Sequence, residues 1–106
     1  MPAQKEIKEG AMAAYLIVNT DIRDPAAYEP YKAAVPALIK KHGGEYLARG
    51  GEMQVLEGKW QPARVVLLRF PDLAAIRAFM DDPAYQPWKA LRHRVAASDL
   101  VAVAGL

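Results

Sequence analysis

Two arginines and two aromatic residues have the side-chain types and positions that a small-molecule site would use. Arg49 is followed by two glycines, which let a backbone or a ligand approach closely. Arg92 lies at the margin of an apolar helical stripe that contains Trp88, and Tyr31 belongs to an earlier helical stripe. A guanidinium in an aromatic-walled cleft binds a planar carboxylate or phenolate by parallel hydrogen bonds. We therefore predict a ligand site formed by Arg49, Arg92, Tyr31 and Trp88. The alternative is that the arginines form ion pairs and the rings belong to the core.

Other reactive side chains are scarce. The chain has no cysteine, which excludes disulfides, thiolate nucleophiles and Cys-based zinc or iron–sulfur sites. The one serine, Ser98, and the one threonine, Thr20, do not stand in a nucleophile-elbow sequence. His42 is expected to cap a helix and His93 to face solvent, and no His–carboxylate pair has metal-ligand spacing on an inner face. The sequence therefore predicts no metal and no cofactor, and it assigns no catalytic residue.

The elements that must position these residues follow the order β-α-β-β-α-β. Asp24-Pro25 and Asp82-Pro83 combine a capping carboxylate with a proline at the first helical position, so each predicts a helix start. Gly43 ends the first helix. The predicted elements are a strand over 11–21, a helix over 25–42, a strand over 45–58 that is interrupted by the glycine pair, a strand over 63–70, a helix from 72 to 80 with a second helical piece over 83–97, and a strand over 99–104.

This order predicts an α+β, ferredoxin-like fold with an antiparallel sheet in strand order 4-1-3-2 and both helices on one face. The start of helix 1, the end of strand 2 and the end of helix 2 then meet at one end of the molecule. Strands 1 and 3 are apolar on both faces, so the face away from the helices would expose a patch of several hundred Å². The sequence therefore predicts a homodimer that packs sheet face against sheet face.

Composition and charge limit the class of protein. The chain of 106 residues is long enough for one domain, predicted over 12–106, after a polar N-terminal leader over 1–11. The net charge of +2 is too small to predict nucleic-acid binding. No apolar run reaches the ~18 residues of a membrane span, and the leader lacks the apolar region of a secretory signal. The expected location is the cytoplasm.

Three stretches of the sequence resemble a known family. They are AYLIVNTDIRDPAAYEPY, GGEYLARGGEMQVLEGKWQPARVVLLRFP and DDPAYQPWKALRHRVAASDLVAV, and the pattern LARGG…LEG…FP is fairly specific. They resemble the domain of unknown function thirteen-thirty family over about residues 12 to 105. That resemblance implies membership of the dimeric α+β barrel superfamily, whose members include monooxygenases, isomerases, haem-handling enzymes and ligand-binding modules. A histidine could serve as a haem axial ligand, as in some of these relatives, but fold alone does not select a function.

Three functions remain open from the sequence. The first is a cofactor-free enzyme, isomerase-like or monooxygenase-like, that acts on a small aromatic or anionic substrate. The second is a non-catalytic dimer that binds a small molecule. The third is a structural dimer without a ligand. An enclosed pocket with Arg49 beside a strongly perturbed tyrosine or histidine would favour the enzyme.

Overall fold

The computed structural model describes residues 13–106, and the predicted leader over 1–11 lies outside them. These residues form four strands and three helices. The elements are β1 (Ala14–Ile22), α1 (Pro25–Lys41), β2 (Glu45–Arg49), β3 (Val65–Phe70), α2 (Leu73–Asp81), α3 (Gln86–Val95) and β4 (Ala96–Ala104). None of the helices in this part of the chain is long and apolar enough to cross a bilayer.

The predicted helix starts are observed for α1 and α2, whereas the predicted start at Asp82-Pro83 is wrong. The Asp82 carboxylate accepts from the Ala84 amide at 2.9 Å within a turn over residues 83–85, so α3 begins only at Gln86. The Asp24 carboxylate accepts a hydrogen bond from the Ala27 amide at 3.1 Å, and Pro25 occupies the first position of α1. The Asp72 carboxylate accepts from the Ala75 amide at 2.7 Å at the start of α2. Helix α1 ends where Gly43 takes a φ of +80°, a backbone conformation that glycine adopts without strain.

The four strands form one antiparallel sheet in the order β2-β3-β1-β4, which is 4-1-3-2 when read from the other edge. Residues along β1 alternate between two environments, as the two-residue repeat of a strand requires. Leu16 and Val18 are buried beneath the helices, whereas Tyr15 and Ile17 on the other face are half-buried. The α+β, ferredoxin-like fold and the four-stranded antiparallel sheet are confirmed.

The face of the sheet away from the helices has no cover within residues 13–106; we call it the open face. Its members are placed by the strand register, because directly opposite residues share a face. Val101 and Val103 of β4 are 59% and 47% exposed there. The apolar part of the open face is formed by Tyr15, Ile17, Val65, Leu67, Val101 and Val103.

The predicted strand over 45–58 is wrong beyond residue 49. Strand β2 ends at Arg49, and residues 51–63, which we call the arm, form an irregular loop that bends around Gly58. Among residues 13–106, no backbone hydrogen bond is made to or from residues 51–62. The apolar residues of the arm suggested a strand, but the described part of the chain offers no strand beside it. The last strand is longer than predicted, since β4 begins at Ala96 directly after α3.

Candidate functional site

A cavity of about 50 Å³ lies between the sheet and the helices. Strands β1 and β3 supply an apolar floor, helix α1 supplies two tyrosines, and the residues around α3 supply Tyr85 and Arg92. The charged groups of its lining are all basic. The lining residues with polar side chains are Thr20, Tyr28, Tyr31, Lys32, Tyr46, Arg49, Arg64, Tyr85 and Arg92.

Two tyrosine hydroxyls meet at the cavity. The oxygens of Tyr31 and Tyr85 lie 2.6 Å apart, so one hydroxyl donates its proton to the other. The pair has two protons and uses one internally, which leaves one O–H free to donate to a ligand. Burial raises the pKa of Tyr31, and the adjacent Tyr85 hydroxyl raises it further. Tyr31 therefore stays protonated at neutral pH and acts as a hydrogen-bonding group rather than as a base.

Arg92 is the buried charge of the cavity. It lies in the last turn of α3, and only 4% of its surface is exposed. Its Nε has no hydrogen-bond partner among the described residues, and no described carboxylate pairs with it. Burial acts to lower the pKa of Arg92, but the neighbouring hydroxyls of Tyr85 and Tyr31 outweigh it and the pKa is raised. A buried, permanently charged guanidinium without a counter-ion is costly, so it indicates a place for an anion.

Further basic side chains line the cavity where β2 ends and β3 begins; we call this side, formed by Lys32, Tyr46, Arg49 and Arg64, the mouth. Arg49 is exposed and donates from Nη2 to the Lys32 carbonyl at 3.0 Å. Its guanidinium carbon lies 4.7 Å from the centre of the Tyr46 ring, which is a cation–π contact. Lys32 is balanced by Glu29, whose carboxylate lies 2.9 Å away on the surface of α1.

Arg64 lies close to the backbone of Gly50. A Cβ atom on residue 50 would come within 2.6 Å of the Arg64 Nε, and Gly50 has a φ of +67°. The positive φ favours glycine at this position, and the missing Cβ leaves room for the Arg64 side chain. The mouth therefore presents the guanidinium groups of Arg49 and Arg64 at the cavity.

Three of the four predicted ligand residues line this cavity. Tyr31, Arg49 and Arg92 are brought together, whereas Trp88 packs against the core outside the cavity lining. Sequence reasoning did not select Arg64 or Tyr85 for the site. The signal for Arg64 was present, because the first residue of an antiparallel strand lies beside the last residue of the strand before it.

The two histidines lie away from the cavity lining. The His42 Nε2 is 2.8 Å from an Asp82 carboxylate oxygen, and the Lys41 ammonium is 2.9 Å from the same oxygen. Hydrogen bonds from His42 and Lys41 lower the pKa of Asp82, and these contacts join α1 to the loop between α2 and α3. His93 is exposed. Within residues 13–106, no group of three or more metal-ligating side chains is placed to hold a metal ion.

The fold is shared with several solved structures. A protein of unknown function from Rhodopseudomonas palustris matches with a TM-score of 0.73 and 19% identity, over 98% of this chain and 90% of that chain. SnoaB, a cofactor-independent oxygenase from Streptomyces nogalater, matches with a TM-score of 0.62 and 14% identity, over 91% and 95%. A dimeric ferredoxin-like protein of unknown function from Thermobifida fusca matches with a TM-score of 0.60 and 20% identity, over 89% and 92%. At these identities the likeness shows the fold alone.

The family is shown by the sequence itself. The family described as domain of unknown function (DUF1330) matches residues 13–106, which is nearly the whole chain. The chain belongs to this family, as the resemblance predicted. No curated protein matches the chain.

Proposed function

We propose that this member of the DUF1330 family is a homodimer that binds a small planar organic anion, a carboxylate or a phenolate, in the cavity between sheet and helices. One observation carries the proposal: Arg92 is buried at the cavity, and no carboxylate among the described residues neutralises it. A ligand anion would supply the missing charge and would accept hydrogen bonds from the guanidinium and from the free tyrosine O–H.

The size of the cavity limits how the ligand binds. The cavity of about 50 Å³ is larger than the roughly 10–15 Å³ that a cavity needs to hold one water molecule, so the space suits a charged head group of a few atoms. The body of an aromatic acid would then extend to the mouth. There it would meet the Tyr46 ring and the guanidinium of Arg49, which stack favourably on a planar ring.

A cofactor-free enzyme is the second candidate. The Tyr31 and Tyr85 hydroxyls and the positively charged Arg92 guanidinium lie together at the cavity as hydrogen-bond donors. Such donors stabilise the negative charge that develops on an enolate or a phenolate. Because burial keeps Tyr31 protonated, the site would lower the pKa of an acidic substrate and stabilise its anion, while the proton is released to solvent water rather than to a base of the protein. The cofactor-independent oxygenase among the structural neighbours supports such a reaction class for this fold.

The homodimer rests on a separate observation. The open face exposes Val101 and Val103, and the similar protein from Thermobifida fusca is described as dimeric. Covering an apolar sheet face with a second copy removes this surface from water. Light scattering after size-exclusion chromatography at micromolar concentration tests it, and a mass of twice 11.7 kDa is expected. A monomer at that concentration would overturn this part of the proposal.

A thermal-shift screen tests the ligand. Small aromatic acids, phenols, lactones and haem are added to the wild type, to Arg92→Met and to the control Arg94→Met, which alters an exposed arginine of the same helix. A ligand at a hundredfold its Kd should stabilise the wild type and the control by about 2.7 kcal/mol and leave Arg92→Met unmoved. If no compound shifts the wild type, the ligand part of the proposal is overturned. If Arg92→Met keeps every shift, Arg92 does not bind the anion.

A further inference from the structure

Within residues 13–106, the arm carries the largest group of exposed apolar side chains that belong neither to the core nor to the cavity lining. Leu56 is 88% exposed and Trp60 is 64% exposed, and Met53 and Val55 are about half exposed. Scattered single apolar residues are common on surfaces, but four within eight residues of one irregular loop are not. Such a segment is typical of a surface that is covered in the working assembly.

The backbone of the arm gives a second, independent indication. Residues 51–62 make no backbone hydrogen bond with the rest of the described chain and belong to no helix or strand. Segments with free N–H and C=O groups add readily to another sheet or chain. The arm therefore has both the side chains and the backbone groups of an interface segment.

The base of the arm is fixed to the cavity. At one end, the Gly50 amide donates to the Val65 carbonyl at 2.9 Å, directly after Arg49. At the other end, the Asn19 side-chain carbonyl accepts from the Ala63 amide at 2.9 Å, directly before Arg64. The two residues that flank the arm are thus the two arginines of the mouth, so a contact that anchors the arm acts directly beside both of them.

We propose that the arm docks on a second copy of this chain and that this contact holds Arg49 and Arg64 in place, so that the anion site is complete only in the dimer. The apolar area available for burial favours a second copy over another partner. With typical side-chain areas of about 150–250 Å², the exposed residues of the arm and of β4 offer on the order of 600 Å² per protomer. The half-buried residues of the open face add to this, and a standard interface needs about 800 Å² per partner.

The coupling rests on the proposed anion site and has a thermodynamic consequence. If the dimer binds the anion more tightly than the monomer does, the anion must tighten the dimer by the same factor. Dimer formation and ligand binding are therefore measured on the same samples. The ligand probe is benzoate.

Sedimentation velocity and benzoate titration of the wild type, Leu56→Asp and the control Leu73→Asp test the proposal. Leu73 is an exposed leucine of α2, so its variant carries the same chemical change away from the arm. Circular dichroism checks that each protomer is folded. Leu56→Asp should weaken dimerisation at least about tenfold, since burial of a leucine side chain contributes that much or more. It should also weaken benzoate binding, and saturating benzoate should tighten the wild-type dimer.

Each result has a distinct meaning. Dimerisation of Leu56→Asp that equals that of Leu73→Asp, or a wild type that stays monomeric, would overturn docking of the arm on a second copy. A monomeric Leu56→Asp that binds benzoate as the wild-type dimer does would overturn the coupling. A wild type that does not bind benzoate would overturn the coupling and count against the proposed function, while sedimentation alone would still decide whether the arm docks.

Discussion

Replacing Arg92 by methionine should make the protein more stable while it loses its ligand. Arg92 is 4% exposed, its Nε has no partner among the described residues, and no carboxylate there balances its charge. Methionine has a similar length, no charge and the flexibility to fill the vacated space. The Tyr31–Tyr85 hydrogen bond remains available, so no tyrosine hydroxyl is left without a partner.

The magnitude follows from the cost of burying the charge. Replacing buried ionic groups by apolar side chains of similar volume stabilises proteins by up to about 1–4 kcal/mol. Because the tyrosine hydroxyls supply hydrogen-bonding dipoles but no counter-ion, we expect Arg92→Met to raise the free energy of unfolding by about 1–3 kcal/mol. For a domain of this size, that corresponds to a rise in Tm of roughly 5–15 °C.

The assay is urea unfolding followed by circular dichroism without ligand. Wild type, Arg92→Met and Arg94→Met are compared at one protein concentration, because the apparent stability of a dimer depends on concentration. The exposed Arg94 should be replaceable within about 0.5 kcal/mol. If Arg92→Met lowers the free energy of unfolding by about 3 kcal/mol or more, the Arg92 charge is already balanced within the fold. That result would contradict the claim that Arg92 lacks a partner.

Four other substitutions give further tests, each read by urea unfolding or sedimentation. Tyr31→Phe removes the 2.6 Å hydrogen bond and leaves the buried Tyr85 hydroxyl without its partner, so unfolding should become easier by about 1–3 kcal/mol; an unchanged urea midpoint would contradict this pairing. Val66→Asp places a carboxylate beneath the helices and should prevent folding, whereas Leu67→Asp alters the open face and should give a folded monomer; a dimeric Leu67→Asp would contradict the sheet-to-sheet interface. Asp82→Asn should destabilise the protein at pH 7 and less at pH 3, because the pKa of Asp82 is lowered on folding and its contribution fades as pH falls below the ordinary Asp value of about 3.9; an equal loss at both pH values would contradict this.

The sequence predicted the fold and most of the site because local signals and topology agree. Asp24-Pro25 and Gly43 mark the two ends of α1, and the element order then brings the end of β2 to the start of α1 and the end of α3. For that reason the sequence alone predicted that Arg49 and Arg92 lie near Tyr31. Trp88 was predicted to join them because it lies on the same apolar stripe of the helix, which is about 100° wide. One edge of that stripe faces the cavity and the rest packs in the core, and periodicity alone does not tell which residues do which.

The arm shows what the sequence could not determine. Val55 and Leu56 have the apolar character of strand residues, so the pattern predicted a strand to residue 58. A strand also needs a neighbour, and hydrophobicity does not reveal whether that neighbour lies in the same chain. The sequence could not show that no carboxylate within residues 13–106 pairs with Arg92, because twelve acidic residues are available in the chain as partners. Both features depend on which groups the tertiary fold brings together.

The most direct test of the anion site is a crystal of the protein grown with 4-bromobenzoate. We expect the carboxylate within hydrogen-bond distance of the Arg92 guanidinium or the Tyr31–Tyr85 pair. We expect an anomalous bromine peak at the mouth, beside Arg49 and Arg64. The same crystal of Arg92→Met should show neither. Bromine peaks only outside the cavity, or a carboxylate bound equally in Arg92→Met, would contradict the claim that this buried arginine binds the anion.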